Sequence, residues 1–289
     1  MSLQPIPPSS MSYNICGVDV LLPAGHPLPH YQKNFKRYDR FLPFVVKRLT
    51  KESGVIDIGA NCGDTLASLV CDGPHLRYLC VEPLDDFFRY LEKNAEKIKH
   101  QFPLASIQCS KLLVGTEGGS YLLKKGDGTA SAVKIDNLSV PNSTLEAKIK
   151  KVPLGELVKS AGDFFLPKLI KIDVDGFDYD VIESGMSMIE EKKPILYFEC
   201  NPTDDESVCL YLRTIEKLID IGYANFSIFD NFGEYILSAE SIKNISDLIR
   251  YFLKQETRTF HYVDIVATAT NSDNQLVLDA IIEFNEKKF

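Results

Sequence analysis

Acidic and amide side chains recur at the ends of the apolar runs of this chain, and they suit binding a cationic ligand and accepting a proton. The first group is Asp57, Gly59, Asn61, Gly63, Asp64 and Thr65. Glu82-Pro83 closes a second apolar run, Asp173 and Asp175 a third, and Glu199 with Asn201 a fourth. Gly59 and Gly63 are expected to let backbone approach a ligand with no Cβ in the way, above a helix that presents free N–H groups. A dinucleotide fingerprint fails here. Counting from Gly59, Asn61 and Asp64 stand where its second and third glycines belong. Asp57 and Asp64 would repel a pyrophosphate and attract a cation, which disfavours a nicotinamide-dependent oxidoreductase. S-adenosylmethionine carries a sulfonium and an ammonium. An acid at a strand's carboxyl end, as at Glu82, suits ribose hydroxyls.

These residues need elements that hold them at one edge. Apolar strand-like runs at 54–58, 77–82, 106–114, 168–174, 194–200, 225–229 and 262–267 alternate with helical patterns at 64–71, 84–100, 205–221 and 240–254. Alternation of this kind predicts βαβ units around a mostly parallel sheet of about seven strands, in an α/β three-layer sandwich. Ligands of open α/β sheets bind outside the carboxyl ends of the strands, where the acids gather. Residues 115–150 interrupt the pattern with five glycines and two short hairpin-like runs, and read as an insertion. Asp230-Asn-Phe-Gly-Glu234 reads as the turn of another hairpin. Six prolines among the first 30 residues suggest an irregular leader, and a helix over about Tyr38–Lys51 follows with Phe41, Val45 and Leu49 on one face. The division is then a leader and capping helix over 1–50 and a main domain over 51–289.

Asp57-Ile-Gly-Ala-Asn-Cys-Gly-Asp-Thr65, Glu82-Pro83, Asn94 and Lys171-Ile-Asp-Val-Asp-Gly176 together resemble the FkbM-type methyltransferases over roughly residues 38 to 202. The Gly-Asp-Thr form, with Tyr38-Asp-Arg-Phe-Leu-Pro43 upstream, is similar to the branch found with polysaccharide and glycan biosynthesis. The resemblance implies a Rossmann-like class I fold with its last strand antiparallel, here the run Tyr262 to Ala267. It also implies S-adenosylmethionine as methyl donor, leaving S-adenosylhomocysteine. Gly128-Thr-Ala-Ser131 matches a stretch of the family that approaches the cofactor, and Ser131 is carried over from it.

Transfer of a methyl group to a hydroxyl needs aligned donor and acceptor and a group to take the proton. Asp173 is expected at the reaction centre. Asp175 faces elsewhere or is rotated inward with it, and Glu199 is the second candidate base. Lys171 is expected to pair with an acid, and Phe177 and Tyr179 to line the acceptor site or pack at a helix start. His26 and His30 are either surface residues or partners of an acceptor hydroxyl. The acceptor is then a sugar hydroxyl in surface-polysaccharide or secondary-metabolite assembly, with a polyketide hydroxyl as the alternative. A cofactor-binding module without catalysis is the rival from another class.

A net charge of −8, from 32 basic and 40 acidic residues, argues against a nucleic-acid partner. With 45% hydrophobic and 25% charged residues, and no run of 18 apolar ones, the chain reads as a globular cytoplasmic protein with no membrane span or signal peptide. Its seven cysteines show no Cys-x-x-Cys spacing and read as reduced thiols. Asp173, Asp175, Glu199 and Asn201 offer oxygen ligands that a hard divalent ion could use, a reading that is not favoured, and no histidine-rich or cysteine-rich spacing suggests zinc. Activity is therefore expected to survive EDTA, and a loss restored by magnesium or calcium would overturn that expectation.

Overall fold

The computed structural model describes residues 10–116, 120–125, 130–135, 151–162, 166–253 and 261–289. It opens with a hairpin where the sequence suggested an irregular leader. Strands β1 (Ser10–Ile15) and β2 (Val18–Pro23) pair antiparallel with Ile15 opposite Val18. The two residues between them, Cys16 at φ 50° and Gly17 at φ 88°, both adopt the left-handed conformation that suits the twist of a two-residue hairpin. Alternation explains the strands themselves. Ile15, Val18, Val20 and Leu22 are buried, and Asp19 between them is exposed. The prolines end the hairpin at Pro23 and start helix α1 (Leu28–Asn34), whose first turn tolerates Pro29.

The expected capping helix is shorter than its apolar spacing suggested. Asp39 takes a left-handed backbone, φ 55°, which no α-helix accommodates, so α2 covers only Leu42–Val46. Strand β3 (Gly54–Ile58), helix α3 (Asp64–Asp72), strand β4 (Arg77–Val81) and helix α4 (Asp85–Gln101) then follow as their patterns predict. The run 106–114 divides: β5 (Ser106–Ser110) stays in the sheet, whereas β6 (Leu113–Val114) turns away to pair with β9 (Lys151–Val152). Within the insertion, β7 (Ser120–Lys125) and β8 (Ala130–Ile135) pair antiparallel, in agreement with the hairpin reading. The polar stretch Asn137 to Lys150 lies outside the described residues.

After α5 (Leu154–Ser160) come β10 (Pro167–Ile172), α6 (Asp178–Ser184), α7 (Met186–Lys192), β11 (Ile195–Cys200) and α8 (Asp205–Asp220). The chain ends with β12 (Asn225–Asp230), β13 (Tyr235–Ala239), α9 (Ile242–Leu253), β14 (Val263–Thr268) and α10 (Asn271–Glu286). The central sheet has eight strands in the order β13-β12-β14-β11-β10-β3-β4-β5. Strands β5, β4, β3, β10 and β11 are mutually parallel, and β14 enters antiparallel between β11 and β12, as the resemblance implied. Strand β13 adds an eighth strand beyond the expected seven.

Side chains alternate across this sheet into two cores. Val55, Tyr78, Leu169 and Ile195 pack with α2, α3, α4, α10 and the hairpin. Ile56, Leu79, Ile170 and Leu196 pack with α5 to α9 on the opposite face. The result is a three-layer α/β sandwich. One buried side chain clasps the middle of the N-terminal hairpin to it: Asn94 of α4 accepts from the Leu21 N–H at 2.8 Å and donates to the Leu21 and Cys62 carbonyls at 2.8 and 2.7 Å. Asn94 is fully buried, so removing its amide strands three backbone groups. Asn94→Ala is expected to cost about 2–4 kcal/mol of unfolding free energy. A urea titration in which the variant matches the parent would show that the hairpin does not depend on this clasp.

Candidate functional site

The carboxyl ends of β3, β4, β10 and β11 open into one cavity of about 350 Å³. Gly59, Asn61, Asp64, Thr65, Glu82, Asp173, Asp175, Glu199 and Asn201 all line it, as the strand-end argument predicted. Asp57 and Gly63 stand behind its wall. The side chain of Ser131 lies outside the described residues.

The glycines serve the protein more than a ligand. A Cβ on Gly59 (φ 83°) would lie 1.9 Å from the Asp173 carbonyl oxygen, so glycine here lets the β3 turn press against the end of β10. Gly63 (φ 81°) precedes α3, and a Cβ there would meet Leu91 at 3.0 Å. The expectation that both glycines make room for a ligand is corrected for Gly63. For Gly59, which does line the cavity, protein packing is the stricter demand.

Lys171 joins the site from beneath. It is directly opposite Asp57 in the β10–β3 register, and its ammonium lies 3.2 Å from Asp57 and 3.2 Å from Asp173. Burial would lower the Lys171 pKa, but Asp57 and Asp173 outweigh it and hold the ammonium well above its usual range. Burial raises Asp57 despite that partner, and its Oδ2 has no hydrogen-bond partner among the described residues. The ion pair expected for Lys171 is therefore present and shared between two acids.

Glu82 is held by backbone. Its Oε2 accepts from the Asn61 N–H at 3.0 Å and its Oε1 from the Leu84 N–H at 2.8 Å, so the carboxylate is fixed with one further lone pair on each oxygen. Burial pushes its carboxyl up to about 7, partly offset by those two N–H groups. Asp64 is raised mainly by burial, with His26 opposing. Glu199 accepts from the Asn201 side chain at 3.0 Å and lies well above the carboxylate range through burial and the charge of Asp173.

Several wall residues escaped the sequence reading. Asp264 of β14 is opposite Glu199 in the register and is hydrogen-bonded by Tyr197, and burial, Asp173 and Asp39 lift its pKa well above normal. Asp39 opens into the cavity between low-dielectric walls; desolvation, then Asp64 and Asp173, bring its carboxyl up to about 7. Tyr38 is hydrogen-bonded to Tyr262 and stacks on Tyr31 with ring centroids 5.0 Å apart. Phe177 faces the cavity, but Tyr179 packs edge-on against Tyr211. His26 reaches the wall with its Nε2 unpartnered among the described residues, while His30 is exposed and absent from the wall. Asp264 left the clearest trace in the sequence, as the one acid in an otherwise apolar run.

Among the described residues, seven carboxylates thus line the cavity: Asp39, Asp64, Glu82, Asp173, Asp175, Glu199 and Asp264. The two lysines that line it among the described residues are both engaged, Lys171 as above and Lys151 by an ion pair with Asp180. Among the described residues, no group of three or more His, Cys, Asp or Glu side chains is arranged to hold a metal ion, and no helix is long and apolar enough to cross a membrane.

A family model described as the methyltransferase FkbM domain matches residues 57–259. The chain belongs to the FkbM methyltransferase family. No curated protein matches it. Among solved structures it is similar to methyltransferase FkbM from Methylobacillus flagellatus KT, with 16% identity, TM-score 0.42, and coverage of 82% of this chain and 50% of that one. It therefore spans half the length of that protein. Precorrin-6y C5,15-methyltransferase from Geobacter metallireducens GS-15 shows 11% identity, TM-score 0.40 and coverage of 80% and 88%. M. jannaschii TYW2 in complex with AdoMet shows 8% identity, TM-score 0.43 and coverage of 91% and 87%. In this FkbM chain, Tyr38, Asp39, Tyr262 and Asp264 all fall outside the matched span, so part of the cavity wall comes from sequence that the family model does not describe.

The raised pKa of Glu82 makes a signed prediction. A carboxyl shifted from an ordinary 4.5 to about 7 contributes stability that is fully present below about 4.5 and is lost as pH rises through 7. The difference in unfolding free energy between the parent and Glu82→Gln should therefore slope against the parent from pH 4.5 to 7. Parallel stability curves for the two proteins across that window would show that Glu82 is not so perturbed.

Proposed function

We propose that this methyltransferase takes S-adenosylmethionine as its donor and methylates a hydroxyl of a sugar, in cytoplasmic assembly of a surface glycan or secondary metabolite. The observation that carries the cofactor reading is the excess of carboxylates around the cavity, with Glu82 held by two backbone N–H groups. A ligand bearing a sulfonium and an ammonium fits such a site, and an anionic pyrophosphate does not.

In this reading Glu82 accepts hydrogen bonds from the ribose hydroxyls, using the lone pairs left free by Asn61 and Leu84. The β3 turn (Gly59, Asn61, Asp64, Thr65) supports the remainder of the cofactor, with Asp57 holding Lys171 from behind and Gly63 shaping the start of α3. Ser131 joins by family resemblance. When bound, S-adenosylmethionine supplies an electrophilic methyl group on its sulfonium. Asp173, half-exposed to the cavity and steered by Lys171, accepts the proton of the attacking hydroxyl. Glu199 is the second candidate base. It and Asp264, both held toward the protonated form, can donate as well as accept hydrogen bonds to neighbouring hydroxyls. Asp175, left-handed at φ 51°, faces the same cavity from the turn after β10.

The sugar reading is supported by the flat faces of Tyr31, Tyr38, Phe177 and Tyr262 among these acids. Among the described residues, an uncharged polyol suits the cavity better than a phosphorylated acceptor, because both lysines that line it there are already paired with acids.

Calorimetric titration with S-adenosylhomocysteine, S-adenosylmethionine and NAD tests the cofactor. Micromolar binding of the two sulfur ligands alone, weakened by Glu82→Ala, is expected, and binding of NAD would overturn the reading. Asp173→Asn should then lower kcat by roughly 10²–10⁴ with little change in S-adenosylhomocysteine affinity. Transfer only to polyketide-like acceptors would remove the sugar assignment, and binding without turnover on any acceptor would favour a non-catalytic module.

A further inference from the structure

Away from the cavity, the tip of the N-terminal hairpin meets the end of α3 through two cysteines. Cys16 is exposed at the first turn position, and Cys71 is half-buried in the last turn of the helix. The Cys71 thiol lies 3.1 Å from the Cys16 carbonyl oxygen, and it also hydrogen-bonds the Cys16 sulfur. That thiol–thiol bond is the main reason the Cys16 thiol is held down at about 6, with Arg40 and Lys287 helping and burial and Asp72 opposing. The same bond pushes the Cys71 thiol up, followed by burial and the charges of Cys16 and Asp72. Cys80 and Cys109 also face each other, across β4 and β5, but burial raises both thiols and leaves neither nucleophilic.

We propose that Cys16 and Cys71 form a thiol-exchange site that takes a low-molecular-weight disulfide, such as glutathione disulfide, and closes into a Cys16–Cys71 disulfide. The Cys16 thiolate attacks one sulfur of the small disulfide, forming a mixed disulfide and releasing one thiolate, which takes a proton from water. Cys71 is then relieved of the charge that suppressed its ionisation. It loses its proton to solvent and attacks the Cys16 sulfur, releasing the second small thiol. Two protein thiols and one small disulfide become one protein disulfide and two small thiols, with no other reactant. The new bond ties the hairpin to α3, whose first turn carries Asp64 and Thr65 of the cavity wall.

Incubation of the full chain with glutathione disulfide at pH 7, followed by intact and peptide mass spectrometry, tests this. The parent should lose two hydrogens, yield a peptide crosslinked between Cys16 and Cys71, and gain on the order of 5–10 °C in Tm. Cys71→Ser should stop at a stable glutathione adduct on Cys16, and Cys16→Ser should leave Cys71 unmodified. Exposed Cys209 serves as the reference thiol. A parent that keeps glutathione on Cys16 without forming the crosslink, or that is modified at Cys209 as fast as at Cys16, would overturn the proposal.

Discussion

The ammonium of Lys171, buried where β3 and β10 run side by side, lies 3.2 Å from both Asp57 and Asp173. Breaking a buried ion pair by removing one partner costs about 3–5 kcal/mol, because the remaining charge is left without water or a counter-ion. Asp57 is 2% exposed and cannot move to solvent, so Lys171 is the group that makes an acid tolerable beneath this edge. Asp173, in contrast, opens to the cavity, so the same cation fixes the place of a carboxylate that remains reachable. The β3 turn then closes over this arrangement only because Gly59 has no Cβ to strike the Asp173 carbonyl. A change at Gly59 or Lys171 would therefore act on Asp173 first.

From that base the other acids gain their character by crowding. Glu82, Glu199 and Asp264 have raised pKa values with burial the largest cause, and Asp39, exposed at the cavity, is raised by desolvation between its walls and by Asp64 and Asp173. Groups perturbed in this way couple to whatever enters. A cation in the cavity lowers their pKa values and is itself held more tightly as they ionise, whereas an anion raises them further. Glu82 is the best placed to respond, since its two N–H partners keep it oriented in either protonation state.

The parallel half of the sheet was legible in the sequence because each run is apolar, short and followed by an acid or glycine, and because ligand sites of such sheets lie after the strands. The hairpin was missed for an equally local reason. Six prolines in 30 residues dominate a compositional reading. The alternation of Ile15, Val18, Val20 and Leu22 turns around Cys-Gly, which carries none of the Asn-Gly or Asp-Gly signal of a tight hairpin. The overlong capping helix failed at Asp39, since a left-handed backbone at a non-glycine residue leaves no mark in apolar spacing. Asn94, by contrast, stood in the family motif with no role visible in sequence. Its role is structural: it joins the amide and carbonyl of Leu21 to the carbonyl of Cys62, two backbone positions distant in sequence.

The wall residues that were missed follow a rule of chain direction. A parallel strand brings its last residues to the carboxyl edge of the sheet, so a search after each strand finds Glu82, Asp173 and Glu199. An antiparallel strand brings its first residues there. Because β14 runs against β11, Tyr262 and Asp264 reach the same edge from the start of their strand, and the pairing of Asp264 with Glu199 follows from the register. Tyr38 and Asp39 arrive from the opposite end of the chain, carried by the segment between α1 and α2. Both contributions lie outside the span the family model matches, while Glu82, Asp173 and Glu199 lie inside it. The cavity therefore has one side inside the span that the family model matches and another built from the segments before and after it.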